Sequence, residues 1–90
     1  MTRWLLDLTC DAEDDLARLD FPVRKRILER LEWTAENFDT IIPLPLTGEY
    51  RDFYKLRVGD WRIFYKVNHQ THALLVCYID RRDKAYKKRR

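Results

Sequence analysis

YKLRVGDWRIFY, residues 54–65, predicts a two-stranded β-hairpin that turns at its Gly-Asp pair. Apolar side chains alternate with basic or aromatic ones on both sides of this pair, which is typical of strands with one buried face. A two-residue turn places Val58 opposite Trp61 and so fixes every other facing pair. One face of the hairpin is then apolar, and the other places Arg57 opposite Arg62.

The outward face of this hairpin combines cations with aromatic rings. Two arginines directly opposite each other destabilise a sheet by about 0.2–1 kcal/mol, which a bound phosphate would offset. Aromatic rings between cations are typical of a platform on which nucleic-acid bases stack. Solvated bases on an exposed sheet, or aromatic residues buried under a further helix, are the alternatives. The residues predicted on this face are Phe53, Lys55, Arg57, Arg62, Phe64 and Lys66.

An amino-terminal strand and two helices precede the hairpin. Arg3 to Leu8 is short and apolar, and Thr9 or Asp11 is suited to cap a helix that ends near Leu19. Pro22 favours the first turn of a second helix, in which apolar residues recur every three or four positions. The two helices are expected to form a hairpin with one apolar stripe.

The remaining segments complete the predicted fold. Residues 39–49 contain two prolines and a glycine, so no regular structure is predicted there. Thr71 to Ile79 is apolar on both faces and is predicted to be a central strand. We therefore predict one α+β domain over residues 1–90, of order βααβββ, with the helical hairpin packed on one face of a mainly antiparallel sheet.

Charge divides the chain into an acidic and a basic half. The net charge of the 90 residues is +3. Residues 1–40 carry 6 basic and 10 acidic side chains, a charge of −4, whereas residues 41–90 carry 12 and 5, a charge of +7. A polyanion or an acidic protein is the expected partner, with nucleic acid favoured over acidic membrane lipid.

Several classes of protein are excluded or disfavoured. Cys10 and Cys77 lie far apart and form no CxxC motif, so reduced thiols and a cytoplasmic location are expected. No apolar stretch is long enough for a signal peptide or a membrane span. His69 and His72 fall in a predicted turn without further metal ligands, and we expect them to be solvated.

Three segments together carry a family resemblance: PLTG at 45–48, the hairpin at 54–65, and IDRR at 79–82 followed by Tyr86. With these segments, the chain resembles the RelE/ParE toxin superfamily of bacterial and archaeal toxin–antitoxin systems over essentially its whole length. The resemblance implies a RelE-like fold and a cognate RelB-type antitoxin, with operator DNA contacted only through that antitoxin. For RelE-like members it implies cleavage of mRNA in the ribosomal A site. No cofactor and no membrane partner are expected.

The resemblance also implies roles for individual residues. Lys55 matches a basic active-site residue of RelE, Arg62 matches its phosphate-binding arginine, and Tyr86 matches its carboxy-terminal tyrosine. Another active-site arginine corresponds to Arg81 or Arg82, and we favour Arg82 because it stands four positions before the tyrosine.

There are departures from the family pattern as well. Phe53 stands where RelE has an additional lysine, and Asp80-Arg81 stands where many relatives have a Gly-His pair.

These roles suggest a metal-independent ribonuclease. Cleavage of RNA by its own 2′-hydroxyl needs a proton acceptor and positive charge around the pentavalent phosphorane. We hypothesise that Lys55 is the general base, that Arg62 and Arg82 stabilise the phosphorane, and that Tyr86 stacks on or orients the nucleotide. A flat basic site does not by itself hold RNA in an in-line geometry, so we expect dependence on the ribosome.

Two other functions remain open at this point. A ParE-like protein would inhibit DNA gyrase, and a non-catalytic module would only dock nucleic acid through Phe53, Phe64 and the basic tail. The antitoxin is expected to be an acidic or amphipathic chain that lies across the basic face or the helical hairpin. Trp33, on the second helix, is either an apolar contact for it or a half-buried core residue.

Overall fold

The computed structural model describes residues 3–41, 44–45 and 52–81, the pair 44–45 through its backbone. Two helices cover one face of a five-stranded sheet, whose strand order is β1-β5-β4-β3-β2. The β1–β5 pair is parallel and the other three pairs are antiparallel. In chain order the elements are β1 (Leu5–Leu8), α1 (Cys10–Ala17), α2 (Phe21–Asn37), a 3₁₀ turn (Phe38–Thr40), β2 (Leu44–Pro45), β3 (Tyr54–Val58), β4 (Trp61–Asn68) and β5 (Ala73–Arg81).

The predicted α+β architecture is confirmed, and so is the register of the central hairpin. Val58 faces Trp61, and Arg57 faces Arg62, as the two-residue turn requires. Strand β5 lies between β1 and β4, which confirms its predicted central position. The prediction of an irregular connection was wrong in one detail, because Leu44–Pro45 forms a short strand against β3. Proline is tolerated there because β2 is an edge strand.

The core lies between the helices and the apolar face of the sheet. Thr9, one of the two predicted candidates, caps α1, since its Oγ1 accepts a hydrogen bond of 3.1 Å from the Ala12 backbone N–H. Burial of each large aliphatic side chain contributes about 1.5–3 kcal/mol relative to its exposure. The largest fully buried apolar side chains are Ile27, Leu31, Ile63, Leu74 and Val76.

Strand β5 contains an irregularity that the sequence did not predict. Tyr65 faces Val76 whereas Phe64 faces Tyr78, so Cys77 is an extra residue in β5, as in a β-bulge. The alternation of side chains therefore reverses at Cys77. Val76 and Ile79 both pack into the core, while Tyr78 lies on the opposite face of the sheet.

Helix α1 and its cap hold this bulge in place. Thr9 Oγ1 donates to the Cys77 carbonyl at 3.1 Å, and the Ile79 backbone N–H donates to Asp15 Oδ2 at 3.0 Å. Asp15 is only 7% exposed. A buried carboxylate that accepts a backbone N–H compensates for the ladder bond that a bulge disrupts.

The turn between β4 and β5 packs on the aromatic residue that precedes β1. His69 and His72 are exposed, as predicted, yet their rings lie 5.7 and 4.7 Å from the Trp4 ring. The Trp4 Nε1–H donates to Asp39 Oδ1 at 3.0 Å, which fixes the indole. The described residues contain no group of three or more potential metal-ligating side chains. In the described part of the chain, no helix is both long and apolar enough to cross a membrane.

Tyr65 makes the stability of the fold sensitive to alkaline pH. Burial, together with nearby Tyr54, raises the pKa of Tyr65 from 10.0 to about 12. The folded state thus favours the neutral phenol of Tyr65. The contribution of this phenol to the free energy of unfolding is fully present below the ordinary pKa and is lost as pH rises from about 10 to about 12. We expect the free energy of unfolding of a Tyr65→Phe variant to fall less over this interval than that of the wild type, as measured by urea denaturation at each pH. An equal fall in both proteins would contradict this origin.

Candidate nucleic-acid interface

The sheet side that faces away from the two helices is here called the open face. Alternation along β3 and β4 sends the core residues to the helices and the charged or aromatic residues to the open face. After the bulge in β5, Tyr78 and Asp80 join this face, because they pair with Phe64 and Arg62. Its residues around the hairpin are Lys55, Arg57, Arg62, Phe64, Lys66, Tyr78 and Asp80, together with Phe53, whose ring contacts Tyr78 and Lys66.

The predicted Arg57–Arg62 pair is present, but its two members differ in accessibility. Arg57 is exposed, whereas Arg62 is only 5% exposed. The Nη1 of Arg62 donates at 3.5 Å to the Gly59 carbonyl and at 3.4 Å to the Trp61 carbonyl. The register also places Asp80 beside it on β5. Hydrogen-bond-accepting carbonyls and a carboxylate beside a buried guanidinium reduce the free-energy cost of removing it from water.

Lys55 adds a third positive charge to this part of the open face. It is half-buried and pairs with Phe64. Lys55 and Arg57 stand two positions apart on β3, which corresponds to about 7 Å along a strand. Three cations therefore lie within a region that one nucleotide could cover. We define Lys55, Arg57 and Arg62 as the cationic cluster.

The aromatic part of the open face differs from the predicted stacking platform. Phe64 points to this face but is only 2% exposed, so its ring is not available to a base. Phe53 is half-buried, with its ring 5.9 Å from that of Tyr78 and the Lys66 Nζ 5.0 Å above it. Tyr78 was missed because the bulge changes its face. The accessible aromatic surface is therefore that of Phe53 and Tyr78.

Arg81 does not lie with the cationic cluster. It pairs with Trp61, a residue packed against the core, and its guanidinium carbon lies 5.7 Å from the centre of that indole. Arg81 also lines a small cavity with Asp15 and Arg18 of helix α1. It is thus on the helical side of the sheet, so the structure does not bring Arg81, the alternative to Arg82, together with Lys55 and Arg62. Arg82 and Tyr86 lie outside the described residues.

A family model and solved structures match this chain. The model described as the ParE toxin of type II toxin–antitoxin systems, parDE, matches residues 6–86. The RelBE2 toxin–antitoxin complex of Mycobacterium tuberculosis contains a chain with TM-score 0.81 at 19% identity, with 91% of this chain and 94% of that one covered. No curated protein matches.

Two further structures extend the comparison. A mutant of the Escherichia coli toxin RelE in the free state gives TM-score 0.76 at 21% identity, covering 93% of this chain and 88% of that one. The archaeal RelE–RelB complex from Pyrococcus horikoshii gives 0.72 at 22%, covering 93% and 100%. These structures share the fold of this chain, which confirms the predicted RelE-like architecture.

Proposed function

The chain belongs to the ParE toxin family of type II toxin–antitoxin systems, and we propose that it inhibits translation by cleaving mRNA on the ribosome. The observation that carries this proposal is the cationic cluster, in which the β3–β4 register holds Arg57 opposite Arg62 with Lys55 on the same face. Like charges at this spacing destabilise the sheet; Asp80 beside Arg62 offsets part of that cost, and a phosphate bound at the exposed Arg57 would offset more of it.

The proposed reaction uses the RNA's own 2′-hydroxyl as the nucleophile. Lys55, in its neutral amine form, accepts the proton of this hydroxyl and becomes an ammonium group, while the 2′-oxygen forms a bond to phosphorus and the bond to the 5′-oxygen breaks. The products are a 2′,3′-cyclic phosphate and a 5′-hydroxyl, whose oxygen takes its proton from water. Arg57 and Arg62 stabilise the negative charge of the phosphorane. Arg82 and Tyr86 retain the roles that the family resemblance implies for them, charge stabilisation and contact with the nucleotide.

The burial of Arg62 supports dependence on the ribosome. A guanidinium that is 5% exposed contacts a phosphate only if the surrounding face opens locally. Arg57 is the exposed member of the cationic cluster and free RNA meets it first, but a single exposed cation at the cleavage site does not fix an in-line geometry. The ribosome is proposed to hold the mRNA in that geometry. Cleavage should therefore be seen with programmed ribosomes and be far slower with naked mRNA, and equal rates would reject this step.

Inhibition of DNA gyrase is the second candidate, which the ParE description of the matching family favours. The two functions differ in their targets, so two assays on one preparation separate them. Loss of supercoiling by purified gyrase with intact mRNA would establish the ParE-like function. New 5′ ends in ribosome-bound mRNA with normal supercoiling would establish the RelE-like one.

We further propose that a cognate RelB-type antitoxin contacts the outer face of α2. Trp33 is 45% exposed there, and the Arg30 guanidinium carbon lies 5.0 Å from its ring centre. A large aromatic beside an arginine is typical of an interface hot spot and fits an acidic amphipathic segment. Trp33→Ala should weaken antitoxin binding by about 2 kcal/mol, as measured by calorimetry. Lys25→Ala, also exposed on α2, is the control, and equal affinities of all three proteins would exclude this surface.

A further inference from the structure

The open face continues beyond the cationic cluster into a groove of about 440 Å³. Asp7 of β1 and Lys66 of β4 form its two sides, and Leu75 of β5 lies between them, because the register pairs Leu75 with both. Ala73 extends the apolar floor. The groove is therefore an apolar strip with a carboxylate on one side and an ammonium group on the other.

The two charged sides are held apart. Adjacent strands lie about 4.8 Å apart, so the backbones of Asp7 and Lys66 are separated by about 10 Å. The Lys66 Nζ lies 5.0 Å above the Phe53 ring, on the β3 side and hence away from β1. Among the described residues, no ion pair joins Asp7 to Lys66. Neither charge is thus neutralised by the other across the strip, and a phosphate bound by Lys66 would compete with its contact to the Phe53 ring.

The end of the groove is formed by an ordered turn. Asn68 Oδ1 accepts hydrogen bonds of 3.0 Å from Gln70 N–H and 3.1 Å from Thr71 N–H. These bonds fix the loop that carries His69 and Thr71 at the groove rim. They also leave the Asn68 amide N–H groups as donors, so the rim offers polar groups in fixed positions.

We propose that this groove binds a nucleobase of the single-stranded RNA next to the cleavage site, and that Asp7 selects bases with an exocyclic amino group. An apolar floor suits the flat face of a base, and Lys66 is placed to contact a backbone phosphate. A carboxylate accepts a hydrogen bond from the amino group of cytosine or adenine, as acidic residues do in base recognition. Uracil presents the O4 acceptor at the equivalent position and is disfavoured by the negative charge.

The distance to the cationic cluster indicates which part of the substrate is read. Arg62 and Lys66 lie on the same face of β4, four positions and therefore about 13 Å apart. This separation places the bound base outside the nucleotide that is cut. The inference thus rests on the proposed nuclease function and extends it to a flanking position of the same RNA strand.

Binding of short RNA tests the groove without relying on cleavage. Fluorescence anisotropy would compare oligocytidylate with oligouridylate of equal length for the wild type, Asp7→Asn and Asp14→Asn at one salt concentration. Asp7 and Asp14 are both exposed, and Asp14 lies on α1, remote from the groove. We expect the wild type and Asp14→Asn to prefer oligocytidylate by roughly fivefold, and Asp7→Asn to lose this preference, because an amide also donates to O4.

The outcomes distinguish the proposed base site from the proposed nuclease function. Equal affinity of the wild type for both oligomers, or an unchanged preference in Asp7→Asn, would overturn the proposed base site even if ribosome-bound mRNA is cleaved. A preference that depends on Asp7 would support the site even if cleavage is absent, in which case the nuclease proposal alone fails.

Discussion

Replacing Lys55 with alanine is expected to slow ribosome-dependent mRNA cleavage by about two to four orders of magnitude, which is the usual contribution of a general base. The side chain lies on the open face, half-buried, and outside the core cluster between helices and sheet. The fold should therefore survive its removal. The measurement is the single-turnover rate at which new 5′ ends form in programmed ribosomes, with a thermal denaturation curve as the test of folding.

Two further variants separate proton transfer from charge. Arginine at position 55 keeps the positive charge but cannot act as a base, because a guanidinium stays protonated at any working pH. Lys55→Arg should therefore be nearly as slow as Lys55→Ala. A Lys55→Arg variant with wild-type activity would assign Lys55 a purely electrostatic role.

Two more variants complete this series: Lys25→Ala, which is remote from the site, and Arg62→Ala, which removes a second cation of the cationic cluster. Lys25→Ala, exposed on α2, should cleave normally because it lies on the opposite side of the sheet. Undiminished cleavage by both Lys55→Ala and Arg62→Ala would reject the proposed site.

The register of the hairpin that forms this site, and the face to which each of its side chains points, could be predicted from the sequence. A two-residue turn leaves one register, and the alternation on both strands then assigns every side chain to a face. Gly59 takes a φ of 59°, which a glycine adopts without the steric cost of a side chain. For this reason the facing pair of Arg57 and Arg62 was predicted and is found.

Strand β5 could not be predicted to the same detail. Its sequence LLVCYID is apolar almost throughout, so the alternation that would mark a shift of one residue is missing. The bulge at Cys77 nevertheless reverses the facing of every residue after it. Tyr78 and Asp80 thereby reach the open face, and Arg81 is directed to the helical side. The position of Arg81 on the helical side and the omission of Tyr78 from the predicted face have this one physical cause.

Phe64 shows a second limit of sequence patterns. Alternation assigns a side chain to a face but does not give its exposure, which depends on what packs over it. The sequence left open whether Phe64 stacks on bases or is buried, and its exposure of 2% favours burial. These two roles predict different effects for the same substitution.

Phe64→Ala is expected to lower the free energy of unfolding by about 3–5 kcal/mol, as removal of a buried phenylalanine does. A domain of 90 residues has a total stability of about 5–13 kcal/mol, so this loss is large. Urea denaturation of the purified chain measures it. Phe53→Ala, on the same face but half-buried, serves as the matched control and should cost less. The contrary outcome is wild-type stability of Phe64→Ala with a loss of RNA-binding free energy of about 1–3 kcal/mol, which is the value for a stacked base. In that case Phe64 contacts nucleotides, and the open face must expose its ring when RNA binds.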